Sequence, residues 1–219
     1  MGSLFLVRHA TTAASASGRN LGQRQDMPLS PAGERLAERL AAALVAELAE
    51  LPYDELRLVT SPAQRCRSTL RPIAEALGRD PGEAEVRPGL LEIDYGDWDG
   101  LTADEARERD PGLRAAWEED PYATACPGGE SGGDVAARAL PVVAELRTWL
   151  SADRARCAVA VAHNHVNRIV LTDLLGWPMR DYRRRLSQDP AGYSLIGLGA
   201  DGVVVRRINA PADPGAAGE

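Results

Sequence analysis

Apolar and polar positions along this chain follow two periods. Leu4-Phe5-Leu6-Val7, Leu56–Thr60 and Cys157–Ala162 are short apolar runs bounded by small or polar residues, and such runs read as strands. The last is almost purely apolar, as expected of a central parallel strand covered on both faces. Between the first two runs the period changes. Leu36, Leu40, Leu44, Leu48 and Leu51 recur at helical spacing with Glu34, Arg35, Glu38, Arg39 and Glu47 among them, which predicts an amphipathic helix. Ser30 is placed to cap it, and Pro31 to occupy its first position.

Ser61-Pro62 repeats that cap signal and predicts a helix running to about Leu77, with Arg65 in its first turn. Ala84–Arg87 reads as a short strand, followed by a loop from Leu90 to Gly100 dense in carboxylates and aromatics. Thr102 and Glu105 form a capping box for a further helix. Pro111–Gly133 is broken by Pro and Gly and predicts an irregular excursion over the sheet edge. A helical pattern returns from Ser131 to Leu150, with Pro141 as a kink or a helix start. Another helix follows His163 through Leu174 and Leu175. Tyr193–Leu198 and Val203–Ile208, separated by Gly199-Ala200-Asp201-Gly202, predict a closing β-hairpin. Thr11–Pro28 shows no periodicity, and a loop of that length in a compact domain is more often functional than idle.

Alternating strands and helices predict an α/β fold: a three-layer sandwich with a mostly parallel sheet flanked by helices and a closing C-terminal β-hairpin at the edge. Residues 1–208 are expected to form a single domain, and 209–219, rich in Ala, Pro and Gly, a disordered tail.

Composition narrows the class. The 219 residues are 44% hydrophobic and 26% charged, ordinary for a globular protein. A net charge of −7 with no basic tract argues against a nucleic-acid partner, so an anionic substrate would need a local basic pocket. Cys66, Cys126 and Cys157 are far apart and odd in number, which fits neither a disulfide framework nor a zinc knuckle; a cytoplasmic location is expected. No apolar run approaches the length of a membrane span, so no membrane association is expected.

Candidate chemistry lies at the strand ends. Arg8 and His9 end the first strand, Arg65 opens the helix after the second, Glu92 follows the third, and His163 ends the apolar run at 157–162. In a parallel sheet the carboxyl ends share one edge, where ligands bind, so these five can converge. An imidazole beside a permanent cation can stay neutral and act as a nucleophile towards phosphorus. Two arginines would bind phosphate oxygens, and the carboxylate would handle the leaving-group proton.

Five motifs in order resemble the histidine phosphatase superfamily, also called phosphoglycerate mutase-like. They are Arg8-His9-Ala10-Thr11-Thr12, Ser61-Pro62-Ala63-Gln64-Arg65, Leu90-Leu91-Glu92 through Gly100, Pro127-Gly128-Gly129-Glu130-Ser131 and Val161-Ala162-His163. Together they span roughly residues 4 to 200. The resemblance implies a metal-independent phosphatase without cofactor, in which His9 becomes phosphohistidine, Arg8, Arg65 and His163 bind the phosphate, and Glu92 protonates the leaving group. It implies a small phosphorylated metabolite as substrate and leaves a homodimer open.

Departures from the family pattern bear on the substrate. Ser15 stands where Asn is common, Ala10 replaces Gly, and Leu21 occupies a usually polar place in the substrate-facing loop Gly18-Arg19, Leu21-Gly22. Asn164-His165 replaces a frequent Gly pair. Ser15, Arg19, Leu21, Gly22, Asn164 and His165 are therefore the expected leaving-group contacts, with Arg19 and His165 recognising a polar end. Trp98 and Trp117 read as packing residues, Cys66 as a small buried side chain, and Glu130-Ser131 mainly as a helix cap. Three rival readings remain: a metal site built on His163-Asn164-His165 with His9, Glu92 and Asp94, a silent binding protein on the same scaffold, and a mutase. The modest covering segments favour hydrolysis over mutase chemistry.

Overall fold

Leu4 and Leu6 pack to one side of the first strand and Phe5 and Val7 to the other, and this alternation divides the core in two. The computed structural model describes residues 1–199 and 202–212. In chain order the elements are β1 (Gly2–Arg8), α1 (Ala13–Ala16), α2 (Pro31–Ala49), β2 (Glu55–Thr60), α3 (Gln64–Ala76), β3 (Glu85–Val86), α4 (Ala103–Arg109) and α5 (Pro111–Glu119). There follow α6 (Gly132–Ala152), β4 (Arg156–Ala162), α7 (Asn164–Leu174), α8 (Tyr182–Arg185), β5 (Tyr193–Gly199) and β6 (Gly202–Ala210).

The sheet order is β3-β2-β4-β1-β5-β6, with the first four strands parallel and β5 and β6 antiparallel at one edge. One face is covered by α2 and α3, through Leu40, Leu44, Leu48, Leu70 and Ile73 on Phe5, Val7, Val159 and Val161. The opposite face carries α6 and α7, through Val135, Ala139, Leu146, Ile169 and Val170 on Leu4, Leu6 and Ala158, Ala160 and Ala162. The three alanines of β4 face the second helix layer, where small side chains let helix and sheet approach closely. This is the expected three-layer α/β sandwich with its closing hairpin.

The helix ends show which local signals act. Ser30 caps α2 through Gly33 N–H at 3.0 Å with Pro31 at its start, and Thr102 and Glu105 form their capping box. Ser61-Pro62 does not cap α3. That helix begins at Gln64, and its first N–H donates to both carboxylate oxygens of Asp26 at 2.8 and 2.9 Å, so the cap comes from the distant loop. Within Thr11–Pro28, expected to be irregular, Thr12 and Ser15 form a capping box around the one-turn helix α1. Pro111 starts α5 instead of breaking the chain, and Pro141 lies inside the continuous α6. Asn209 and Ala210, expected in a disordered tail, belong to β6 and Ala212 is buried, while residues 213–219 lie outside the described residues. Ala200 and Asp201 of the hairpin turn also lie outside them. Among the described residues no helix is long and apolar enough to cross a membrane.

Candidate active site

β1 and β4 are neighbours, yet the chain leaves β1 towards α2 on one face and β4 into α7 on the other. A crevice opens at such a divergence. His9 and His163 are the first residues beyond these two strands, and their rings stand edge to face with centroids 5.2 Å apart. His9 is 4% exposed and His163 fully buried. Burial, reinforced by Arg65 and then Arg8 for His9, and by Arg65 for His163, holds both imidazoles well below the usual histidine range. Both are neutral at physiological pH. Nδ1 of His9 lies 2.8 Å from the Ala10 carbonyl and must carry the proton of that bond, which leaves Nε2 with a free lone pair. Among the described residues Nε2 makes no protein hydrogen bond.

Arg65 is 1% exposed, its Nη2 donating to the Gly22 carbonyl at 2.9 Å, and Arg8 Nη1 donates to the Gln188 carbonyl. The Nε of each arginine is buried without a partner. Ser61, freed from capping, places its hydroxyl 2.8 Å from His163 Nε2. Cys66 Sγ is 3.4 Å from the same nitrogen, and burial pushes its thiol up, so it stays protonated.

Glu92 does not follow β3 directly, because a 3-10 turn over Pro88–Leu90 intervenes. Its carboxylate accepts from Ile93 N–H at 3.0 Å and from His165 N–H at 3.2 Å. Burial raises its pKa, opposed by these two N–H bonds and by Arg65 and Arg8. Gly96 holds the following segment against the Pro127–Gly129 turn: its φ is +56° and a Cβ would lie 2.0 Å from the Pro127 carbonyl oxygen.

A cavity of about 200 Å³ lies over these groups. Arg8, His9 and Glu92 line it, together with Ser15, Gly18, Arg19, Asn20, Leu21, Tyr95 and Asn164. Arg65 and His163 are buried and are not among its lining residues. Asn164 has a buried, unpartnered Oδ1, whereas Gly22 contributes a carbonyl to Arg65 and does not line the cavity. Tyr95 and Asn20 were not singled out by the sequence.

Three expected leaving-group contacts are otherwise engaged. The His165 ring is 1% exposed and turned into the core, with Nε2 2.8 Å from Tyr95 Oη and Nδ1 2.8 Å from Tyr182 Oη. Satisfying a buried imidazole between two hydroxyls wins over pointing it into the cavity. His163 and His165 therefore do not present two ligands to one point. Arg19 lines the cavity but is paired with Glu105 at 2.9 Å and donates to the Gly100 carbonyl at 2.8 Å. The Ser15 hydroxyl is used within its capping box, accepting from Thr12 N–H at 2.9 Å.

Trp98 and Trp117 are core residues, 0% and 1% exposed, with Arg114 stacked on both. At the Pro127–Ser131 turn it is Ser131, with Asp134, that caps α6; Glu130 points back to the Glu92 loop and pairs with Arg138. Arg138 was missed, since an arginine inside a helical pattern carries no signal of a loop it meets only in three dimensions.

The family model of the histidine phosphatase superfamily, branch 1, matches residues 4–211. A glucosyl-3-phosphoglycerate phosphatase of Mycolicibacterium vanbaalenii is 35% identical over 82% of this chain and 76% of its own length. Phosphoserine phosphatase 1 of Hydrogenobacter thermophilus is 30% identical over 95% of this chain and 92% of its own. Among solved structures, the mycobacterial glucosyl-3-phosphoglycerate phosphatase in complex with VO3 superposes with a TM-score of 0.81 at 30% identity, covering 96% of this chain and 100% of that one.

Proposed function

This chain belongs to the histidine phosphatase superfamily and is a phosphatase, and we propose that it hydrolyses small phosphorylated metabolites through a phosphohistidine on His9. The observation that carries this reading is the bond from His9 Nδ1 to the Ala10 carbonyl, which fixes the tautomer whose Nε2 lone pair is free at the cavity.

In the proposed reaction Nε2 of His9 attacks phosphorus as the ester P–O bond breaks, and the leaving oxygen takes the proton of Glu92. Water then attacks the phosphohistidine, giving its proton to the Glu92 carboxylate. Inorganic phosphate leaves, and both residues return to their starting forms. Arg8, Arg65 and His163 stabilise the phosphoryl oxygens, and a dianion beside His163 favours its protonated form. The leaving group meets Leu21, Asn164, Tyr95 and Arg19, a mixed lining in a cavity of about 200 Å³ that suits a metabolite and not a polymer. Phosphoserine and glucosyl-3-phosphoglycerate, named for two relatives, fall in this class.

Rapid-quench trapping with a radiolabelled phosphomonoester tests the reading. An acid-labile, base-stable label on His9 is expected, with turnover abolished in His9→Ala. Full activity in that variant, or no label on His9, overturns it.

A further inference from the structure

Glu92 lies on a loop, so something other than a sheet must fix its position. We infer that Arg138, oriented by Glu130, is a positioning residue for Glu92; the inference rests on the reading of Glu92 as proton donor. From α6, Arg138 Nη1 donates to the Gly89 carbonyl at 3.0 Å and the Leu91 carbonyl at 2.5 Å, and Nη2 donates to the Glu92 carbonyl at 2.9 Å. Nε and Nη2 also grip Glu130 at 2.9 and 2.8 Å. All five N–H bonds of the guanidinium are thereby used, three on the loop that carries the acid and two on the carboxylate that orients the fork.

Glu130 is itself tied to that loop, accepting from Asp94 N–H at 2.9 Å. Gln23 Nε2 closes the assembly, donating to Glu130 at 3.1 Å and to the Glu92 carbonyl at 2.8 Å. The neighbour of Gln23 is Gly22, whose carbonyl accepts from Arg65 at 2.9 Å. A continuous set of bonds thus links the phosphate-side Arg65 to the backbone of Glu92, with Arg138 at its far end. A surface ion pair needs none of these carbonyls. Lysine cannot replace the fork, since one ammonium cannot reach three carbonyls and a bidentate carboxylate together.

The effect should lie in proton donation. Steady-state kcat is measured on an alkyl phosphomonoester and on p-nitrophenyl phosphate, whose phenolate leaves without a proton, for wild type, Arg138→Met, Arg138→Lys, Glu130→Gln and Gln23→Ala, with Glu92→Gln as reference. Arg138→Met and Arg138→Lys should each lose about tenfold more rate on the alkyl ester than on the aryl ester, within the range of general acid catalysis. Gln23→Ala, which removes two contacts, one on Glu130 and one on the Glu92 carbonyl, and leaves the arginine fork in place, should shift the ratio in the same direction by less, and reads the effect should the arginine variants fail to fold. Equal losses on both esters in every variant, with Glu92→Gln still discriminating, overturn the positioning role. Failure of Glu92→Gln itself to discriminate overturns the donor reading, and the inference falls with it.

Discussion

The rings of His9 and His163 stand 5.2 Å apart at 65°, edge to face, on neighbouring strand ends. Both are neutral because burial and Arg65 oppose a further positive charge. In the proposed reaction permanent charge thus comes from arginines, and the attacking lone pair from an imidazole that need not first lose a proton. This division of labour suits phosphoryl transfer, where positioning and charge stabilisation dominate.

The pH profile should separate the two groups. His9 lies well below the usual value of 6.5, so kcat/KM, corrected for ionisation of the phosphoester itself, should show no inflection near that pH. Glu92 lies above its ordinary 4.5 and must hold a proton to protonate an alkoxide. An alkyl phosphate should therefore show an alkaline limb that p-nitrophenyl phosphate lacks, and Glu92→Gln should remove it. Matching profiles for both esters in wild type would refute this assignment.

Part of this candidate site was legible because strand ends in a parallel sheet share an edge: that rule brings His9, Arg65 and His163 together, whereas Glu92, separated from β3 by a 3-10 turn, reaches them on its loop. What stayed hidden was set by partners distant in sequence. His165 is one helical residue from a cavity-lining asparagine, yet Tyr95 and Tyr182 claim its ring. Ser61 looks like a cap until Asp26 takes that duty. Pro111 reads as a breaker from composition, although proline is equally at home at a first helical position.

Arg19 should act on substrate only in competition with Glu105. Glu105→Gln preserves the capping box, which glutamine also completes, while removing the competing charge. KM for phosphoesters bearing a second anionic group should fall in Glu105→Gln and rise in Arg19→Ala, with singly anionic esters unchanged. An unaltered KM for every ester in both variants would assign Arg19 to structure alone.

The His165 ring predicts a stability effect without a specificity effect. Tyr182→Phe leaves a buried imidazole nitrogen unpaired, a cost of about 1–3 kcal/mol and a Tm lowered by a few degrees. The ranking of substrates should stay as in wild type. His165 is held neutral by burial, so below about pH 6.5 the unfolded chain binds protons that the folded chain does not, and stability falls with pH. Thermal melts across pH 5–8 should show this slope reduced in His165→Gln; a reordered substrate ranking in either variant would return the ring to the cavity.

The same linkage has the opposite sign for Glu92. Its folded pKa is raised above 4.5 by burial, so the folded chain retains a proton that the unfolded chain has released. Its contribution is fully present below pH 4.5 and is lost as pH rises through the folded value, which makes the ionised carboxylate a liability at neutral pH. Glutamine keeps the shape and can still accept from Ile93 N–H and His165 N–H without carrying charge. Glu92→Gln should therefore melt above wild type at pH 7.5, with the difference shrinking towards pH 4.5, while its rate on alkyl phosphates collapses. A variant less stable than wild type at neutral pH would mean that Arg8 and Arg65 repay the buried charge in full, and that the active site carries no stored cost at this position.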